Sequence, residues 1–180
     1  MQPQKPELLA PPGPFRNLDN LDPSAFVALL ADVFEHSPWV AERVEPLRPF
    51  SGVSQLHAAM FAEVNHATEA EQLALLRAHP ELAGREAQQG ELTAASDREQ
   101  AGAGLKSLDA SEMARIAGLN AAYAARHGFP FIVCVGRHTK ASLFSEFERR
   151  VSNSPAAERD DAMRQVADIA RLRLDQLFPG

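Results

Sequence analysis

Six helix-start signals divide the chain, and between them no alternating strand pattern with a hairpin turn occurs. Asp22-Pro23, Ser37-Pro38 and Ser154-Pro155 each set a capping residue before a proline suited to the first helical position. Thr68-Glu69-Ala70-Glu71, Ser96-Asp97-Arg98-Glu99 and Asp109-Ala110-Ser111-Glu112 read as capping boxes, in which the fourth side chain returns to the first residue's N–H. Apolar residues recur behind them at helical spacing: Phe26, Leu29, Leu30, Val33 and Phe34 in one stretch, Met163, Val166, Ala170, Leu174 and Leu177 in another. Ser54 is placed as the cap of a helix carrying Leu56, Met60 and Val64. The fold class this predicts is all-α, a single compact domain of roughly eight helices over residues 18–180. Residues 1–17, with prolines at 3, 6, 11, 12 and 14, are expected to be a flexible lead.

The breaks are as informative as the helices. His79-Pro80 must end a helix, because the residue before proline is pushed out of the α region. Residues 81–95 read as a long loop. Gly128 closes the helix opened at Asp109. Phe129 to Val135 is the most apolar run and too short for a helix of its own, so it is expected to be extended and buried. Such a segment needs partners for its backbone N–H and C=O groups, and a ligand rich in amide-like groups could supply them.

A net charge of −6 gives no electrostatic footprint for nucleic acid or anionic lipid. No apolar stretch is long enough to span a membrane. The single cysteine, Cys134, forms neither an internal disulfide nor a cysteine zinc site, and a cytoplasmic setting is expected.

Four features could carry chemistry. Glu63 and His66 have the Glu-x-x-His spacing of a di-metal bundle, but such sites need two copies and only one occurs; a polar helix face explains it as well. His79 stands where a helix stops, ahead of a loop, a place where function concentrates. Ser96, Glu99 and Gln100 either cap a helix or line an anion-attracting pocket, and the pattern alone favours capping. Arg173 falls beside an apolar helical stripe, where a charge needs a partner.

Taken together, Phe34-Glu35-His36-Ser37-Pro38-Trp39-Val40, Ala78-His79-Pro80-Glu81-Leu82-Ala83-Gly84, Ser96-x-x-Glu99-Gln100-x-Gly102-Ala103-Gly104-Leu105, Leu119-Asn120-x-x-Tyr123, Gly128-Phe129-Pro130-Phe131-Ile132 and Arg173-Leu174 resemble the OHCU decarboxylase family (2-oxo-4-hydroxy-4-carboxy-5-ureidoimidazoline decarboxylase). The resemblance covers about residues 18 to 178. It implies an all-α homodimer without metal or organic cofactor, acting on OHCU as the last step from urate to allantoin. It implies catalytic roles for His79 and Glu99. As a mechanistic hypothesis, His79 is the acid that delivers or relays a proton and polarises the reacting carbon's substituents, and Glu99 accepts the substrate hydroxyl's hydrogen bond and helps it become a carbonyl. Substrate binding would fall to Pro80, to Ser96, Asp97, Arg98 and Gln100, and to the backbone of Phe131, Ile132, Val133, Cys134 and Val135. The pocket arginine would be Arg173, with Arg171 as its rival. The alternatives are a non-catalytic helical interaction module and a metal-dependent hydrolase at Glu63 and His66.

Overall fold

The computed structural model describes residues 14–179; the first thirteen residues of the proline-rich lead, and Gly180, lie outside them. Among the described residues there is no strand, and the α-helices are α1 (Pro23–Leu30), α2 (Trp39–Val44), α3 (Val53–His66), α4 (Glu69–Arg77), α5 (Arg85–Gln89), α6 (Ala94–Gly102), α7 (Ala110–His127), α8 (Lys140–Val151) and α9 (Pro155–Leu177). Short 3-10 turns occupy Pro14–Asn20, Glu45–Leu47, Leu105–Ser107 and Val135–Arg137. No helix among the described residues is long and apolar enough to cross a membrane.

Local chemistry sets most boundaries. Asp22 and Ser154 accept the N–H of Ala25 and Ala157, and prolines follow both caps. Thr68–Glu71 and Asp109–Glu112 close as full capping boxes. Gly128 ends α7 at φ 76°, a left-handed conformation that suits a residue without Cβ.

Four details differ from the sequence reading. Ser37 does not cap α2; its hydroxyl donates to the Glu35 carbonyl, and Pro38 precedes the helix without a side-chain cap. α3 starts at Val53, so Ser54 lies inside it. The cap of α6 is Thr93, which accepts the Ser96 N–H at 3.2 Å, and this moves Ser96 and Glu99 into the helix body. The span 81–95 holds a helix of its own, α5, polar on every side and bounded by Gly84 and Gly90; it is too short to show a period.

Long α9, ~35 Å from its 23 residues, is the spine. Its face of Ala162, Val166, Ala170 and Leu174 is buried, and α3 and α7 lie against it. α2 packs on α3, and α8 on α7. Phe129 to Cys134 runs extended and largely buried through the interior, ending at the 3-10 turn of Val135–Arg137.

A buried charge cluster fixes that run. Arg150 and Glu158, both fully buried, form an ion pair, with Arg150 Nε to Glu158 Oε1 at 2.9 Å. The Tyr123 hydroxyl donates to the same oxygen. Burial first, then the Glu158 carboxylate, pushes the Tyr123 phenol above its ordinary range, so it stays a donor. Arg150 Nη1 donates to the Ile132 carbonyl at 2.8 Å, and its guanidinium lies 4.6 Å from the Phe131 ring centre. Phe131 in turn stacks on Phe147, with ring centres 3.9 Å apart.

Candidate active site

His79 follows the last turn of α4. Its ring Nδ1 lies 2.9 Å from the Leu75 carbonyl, which can only accept, so Nδ1 carries the hydrogen and Nε2 is the free nitrogen. Burial, opposed by the Leu75 carbonyl and the Glu35 charge, pulls the imidazole down to about 4. It is therefore neutral near pH 7. The turn behind it is held from two helices: Gln100 Oε1 accepts the Ala83 N–H at 2.9 Å, and Asn120 Nδ2 donates to the Leu82 carbonyl at 3.0 Å. Ala83 sits at φ 48°, a conformation that disfavours any residue with a Cβ and persists because those bonds impose it.

Ser96, Glu99 and Gln100 are spaced i, i+3, i+4 on α6 and share one face. Opposite them stands Arg173 of α9. Arg173 Nε meets Glu99 Oε1 at 2.7 Å, and Nη2 meets Glu99 Oε2 at 2.9 Å. Its Nη1 is 2.8 Å from Glu35 Oε2 and donates to the Asp32 carbonyl at 3.0 Å. Ser96 gives its proton to Glu35 at 3.0 Å and accepts from Arg173 at 3.2 Å; Thr93 adds a third bond to Glu35 at 2.7 Å. Burial alone would raise the Glu35 carboxyl. The Arg173 charge and the Thr93 hydroxyl outweigh it and hold Glu35 below the usual carboxylate range. Arg173 feels the same balance: burial opposes its charge, Glu99 and Glu35 support it, and its pKa is raised.

These groups border a cavity of about 30 Å³ lined by His79, Pro80, Leu82, Ser96, Glu99, Gln100, Phe131, Ile132, Val133, Val135, Ile169 and Arg173. The imidazole and the Glu99 carboxylate thus meet in one hollow. Arg173 faces it; Arg171 turns outward and pairs with Asp175 at 3.0 Å. Three residues named from sequence are not on its wall. Asp97 pairs with Lys106 at 2.8 Å, away from the cavity. Arg98 and Cys134 border a neighbouring hollow. The Cys134 N–H donates to Gln165 Oε1 at 2.8 Å and its thiol is pushed up, chiefly by burial, so it is a poor nucleophile. Within the backbone segment, the Ile132 carbonyl is already taken by Arg150.

Sequence reasoning missed Glu35. Its signal was a carboxylate directly after the buried pair Val33 and Phe34, where a charge requires a cation. Glu63 and His66 stand on the last turn of α3, and no group of three potential metal-binding side chains forms among the described residues.

The arrangement provides a neutral base, a guanidinium that binds carboxylates and an apolar wall. The profile of the family described as OHCU decarboxylase matches residues 19–175. The 2-oxo-4-hydroxy-4-carboxy-5-ureidoimidazoline decarboxylase of Haloferax volcanii is 42% identical over 163 residues, covering 91% of this chain and 95% of that one. Its namesake in Mus musculus is 39% identical over 161 residues, covering 89% and 90%. A crystal structure of (S)-allantoin synthase superposes with a TM-score of 0.74 at 32% identity, over 91% of this chain and 54% of that one. A crystal structure of OHCU decarboxylase in the presence of (S)-allantoin shares the fold, with a TM-score of 0.68 at 22% identity over 84% of this chain and 99% of that one.

Proposed function

The chain belongs to the OHCU decarboxylase family, and from that premise we propose how its residues remove CO2 from 2-oxo-4-hydroxy-4-carboxy-5-ureidoimidazoline to give (S)-allantoin in urate degradation. The activity is that of a carboxy-lyase. One observation carries the assignment of residues: His79 and the Glu99–Arg173 pair line one cavity. A non-catalytic helical module has no use for such a meeting.

The substrate supplies its own electron sink. As the bond from ring carbon to carboxylate breaks, its pair forms a carbon–carbon double bond, and the adjacent imine pair moves onto nitrogen, which takes a proton. The hydroxyl on the decarboxylated carbon then becomes a carbonyl as the ureido-bearing carbon gains a proton. Overall one proton is consumed and CO2 leaves.

A neutral imidazole can start this sequence only as an acceptor. Of the two parts expected from the sequence, delivering or relaying, His79 performs the relay: Nε2 takes the hydroxyl proton and returns it to carbon. Glu99, freed once the substrate carboxylate has replaced it on Arg173, accepts the hydroxyl's hydrogen bond and passes that one proton on to Nε2 as the carbonyl forms. Ser96, Pro80 and Val133 complete the walls, while Gln100 holds the turn that carries His79. The mostly apolar lining strips water from the carboxylate, replacing it with fixed protein dipoles.

The homodimer and the cytoplasmic setting belong to the same proposal; exposed Leu29 and Leu47 are apolar surface that a second copy could cover. Light scattering on the purified chain tests the dimer. The function is tested with freshly generated substrate, following (S)-allantoin by circular dichroism. Accelerated stereospecific product is the expected result; a racemic product at the uncatalysed rate rejects it.

A further inference from the structure

The cavity at His79 is too small for what it must hold. About 30 Å³ accommodates one or two waters, not a ring bearing both a ureido group and a carboxylate. Something on its wall has to move. His79, Leu82, Ser96, Gln100, Phe131, Val133, Ile169 and Arg173 are all buried. Pro80 is rigid. Glu99, with a side chain 23% exposed, is the movable member.

Glu99 also borders a second, much larger hollow of about 460 Å³. The two spaces share Glu99, Val135 and Ile169, so Glu99 stands as the partition between them. Arg98 is the one cation among the described residues bounding the larger space, and it is exposed. Gly102 and Gly136 keep the walls low: a Cβ on Gly102 would meet nothing within 4 Å. A rival hollow of about 370 Å³, beside Arg77 and Arg85, touches the cavity only at His79, whose ring is pinned by the Leu75 carbonyl.

We propose that the substrate anion enters through the hollow between Arg98, Gly102, Leu172 and Gln176, that Arg98 captures its carboxylate, and that Glu99 swings aside to admit it to Arg173. This deepens the decarboxylase reading and rests on it. The order of events follows from charge. An exposed guanidinium attracts the anion at range, and the buried Arg173 then exchanges one carboxylate for another.

Gly102→Leu is the decisive variant. Gly102 ends α6 without a left-handed backbone, and leucine favours a helix more than glycine does, so thermal stability should hold or rise. The side chain narrows the hollow beside Arg98, and kcat/KM should fall by roughly an order of magnitude. Arg98→Gln should raise KM and flatten the decline of kcat/KM with added salt. Ala124→Leu, in the rival hollow, should behave as wild type. Wild-type kcat/KM in Gly102→Leu, an unaltered salt response in Arg98→Gln, or a loss confined to Ala124→Leu each overturns the route. A wild-type protein without turnover overturns the decarboxylase reading, and the route with it, while an active wild type with indifferent variants overturns the route alone.

Discussion

Arg173 grips Glu99 through two parallel bonds, Nε to Oε1 at 2.7 Å and Nη2 to Oε2 at 2.9 Å. This fork-on-carboxylate geometry is the one a substrate carboxylate would take. The third guanidinium nitrogen serves Glu35 at 2.8 Å. One cation therefore faces two carboxylates, and the protein's own acid occupies the place proposed for the substrate's.

Glu99→Gln separates catalysis from helix capping. The N-cap of α6 is Thr93, so no cap is lost; the variant gives up the charge-assisted bonds to the buried Arg173, which keeps Glu35 as counter-charge, and should lose roughly 1–3 kcal/mol of stability. Turnover should drop by about a hundredfold or more. Urea melts alongside the circular dichroism assay read both; turnover intact would remove Glu99 from the chemistry and leave it only a structural partner of Arg173.

Glu35→Gln tests the buried side of the same arginine. Glu35 is 1% exposed and holds three hydrogen-bonding partners. Removing its charge while Arg173 stays charged should cost roughly 3 kcal/mol in a denaturant titration. In wild type the Glu35 contribution is complete above the unfolded carboxyl value of about 4.3 and is lost as pH falls through its lower folded value.

His79→Ala should leave a folded protein that has lost about a hundredfold or more of its turnover. In wild type the acid limb of kcat/KM should lie near pH 4, since that is where the free imidazole gains its proton, rather than near ~6.5 for an unperturbed histidine. A limb centred on the ordinary value contradicts the neutral relay.

Stability should respond to the same group. The unfolded chain protonates His79 near ~6.5 and the folded chain only near about 4, so the unfolded state binds the extra proton first. Stability from this residue is full above ~6.5 and declines as pH drops toward about 4, by as much as ~3 kcal/mol. His79→Gln should flatten that slope in melts between pH 7 and about 5.5, above the range in which unfolded carboxylates gain protons.

Arg150→Met strands Glu158 in the interior and should cost about 3 kcal/mol or more. Pairing it with Glu158→Met should recover part of that loss. If the double variant is the worse of the two, the ion pair itself, and not the stranded charge, is what the fold requires.

What could be foreseen from the sequence followed the reach of each interaction. Asp22, Thr68, Asp109 and Ser154 cap the helices they precede because capping needs only neighbours in sequence. Arg173 was visible as a charge beside an apolar stripe. Ser96 misled for the same local reason: its pattern with Glu99 is a valid box, yet Thr93 fits the same helix start and frees both side chains for tertiary partners. Glu35 escaped because its partners Thr93, Ser96 and Arg173 are brought to it only by folding. Likewise, α5 is too short and too polar for periodicity to mark it.

Arg150 reaches from α8 to the Ile132 carbonyl while lying against Phe131, so the rear of the pocket hangs on a cluster remote from the chemistry. Anyone wishing to reshape this enzyme for a bulkier acid inherits a constraint: Tyr123, Arg150 and Glu158 form one inseparable module. Replacing any one alone would loosen the extended run before it widened the space, whereas a coordinated redesign of all three would move the rear surface as a unit.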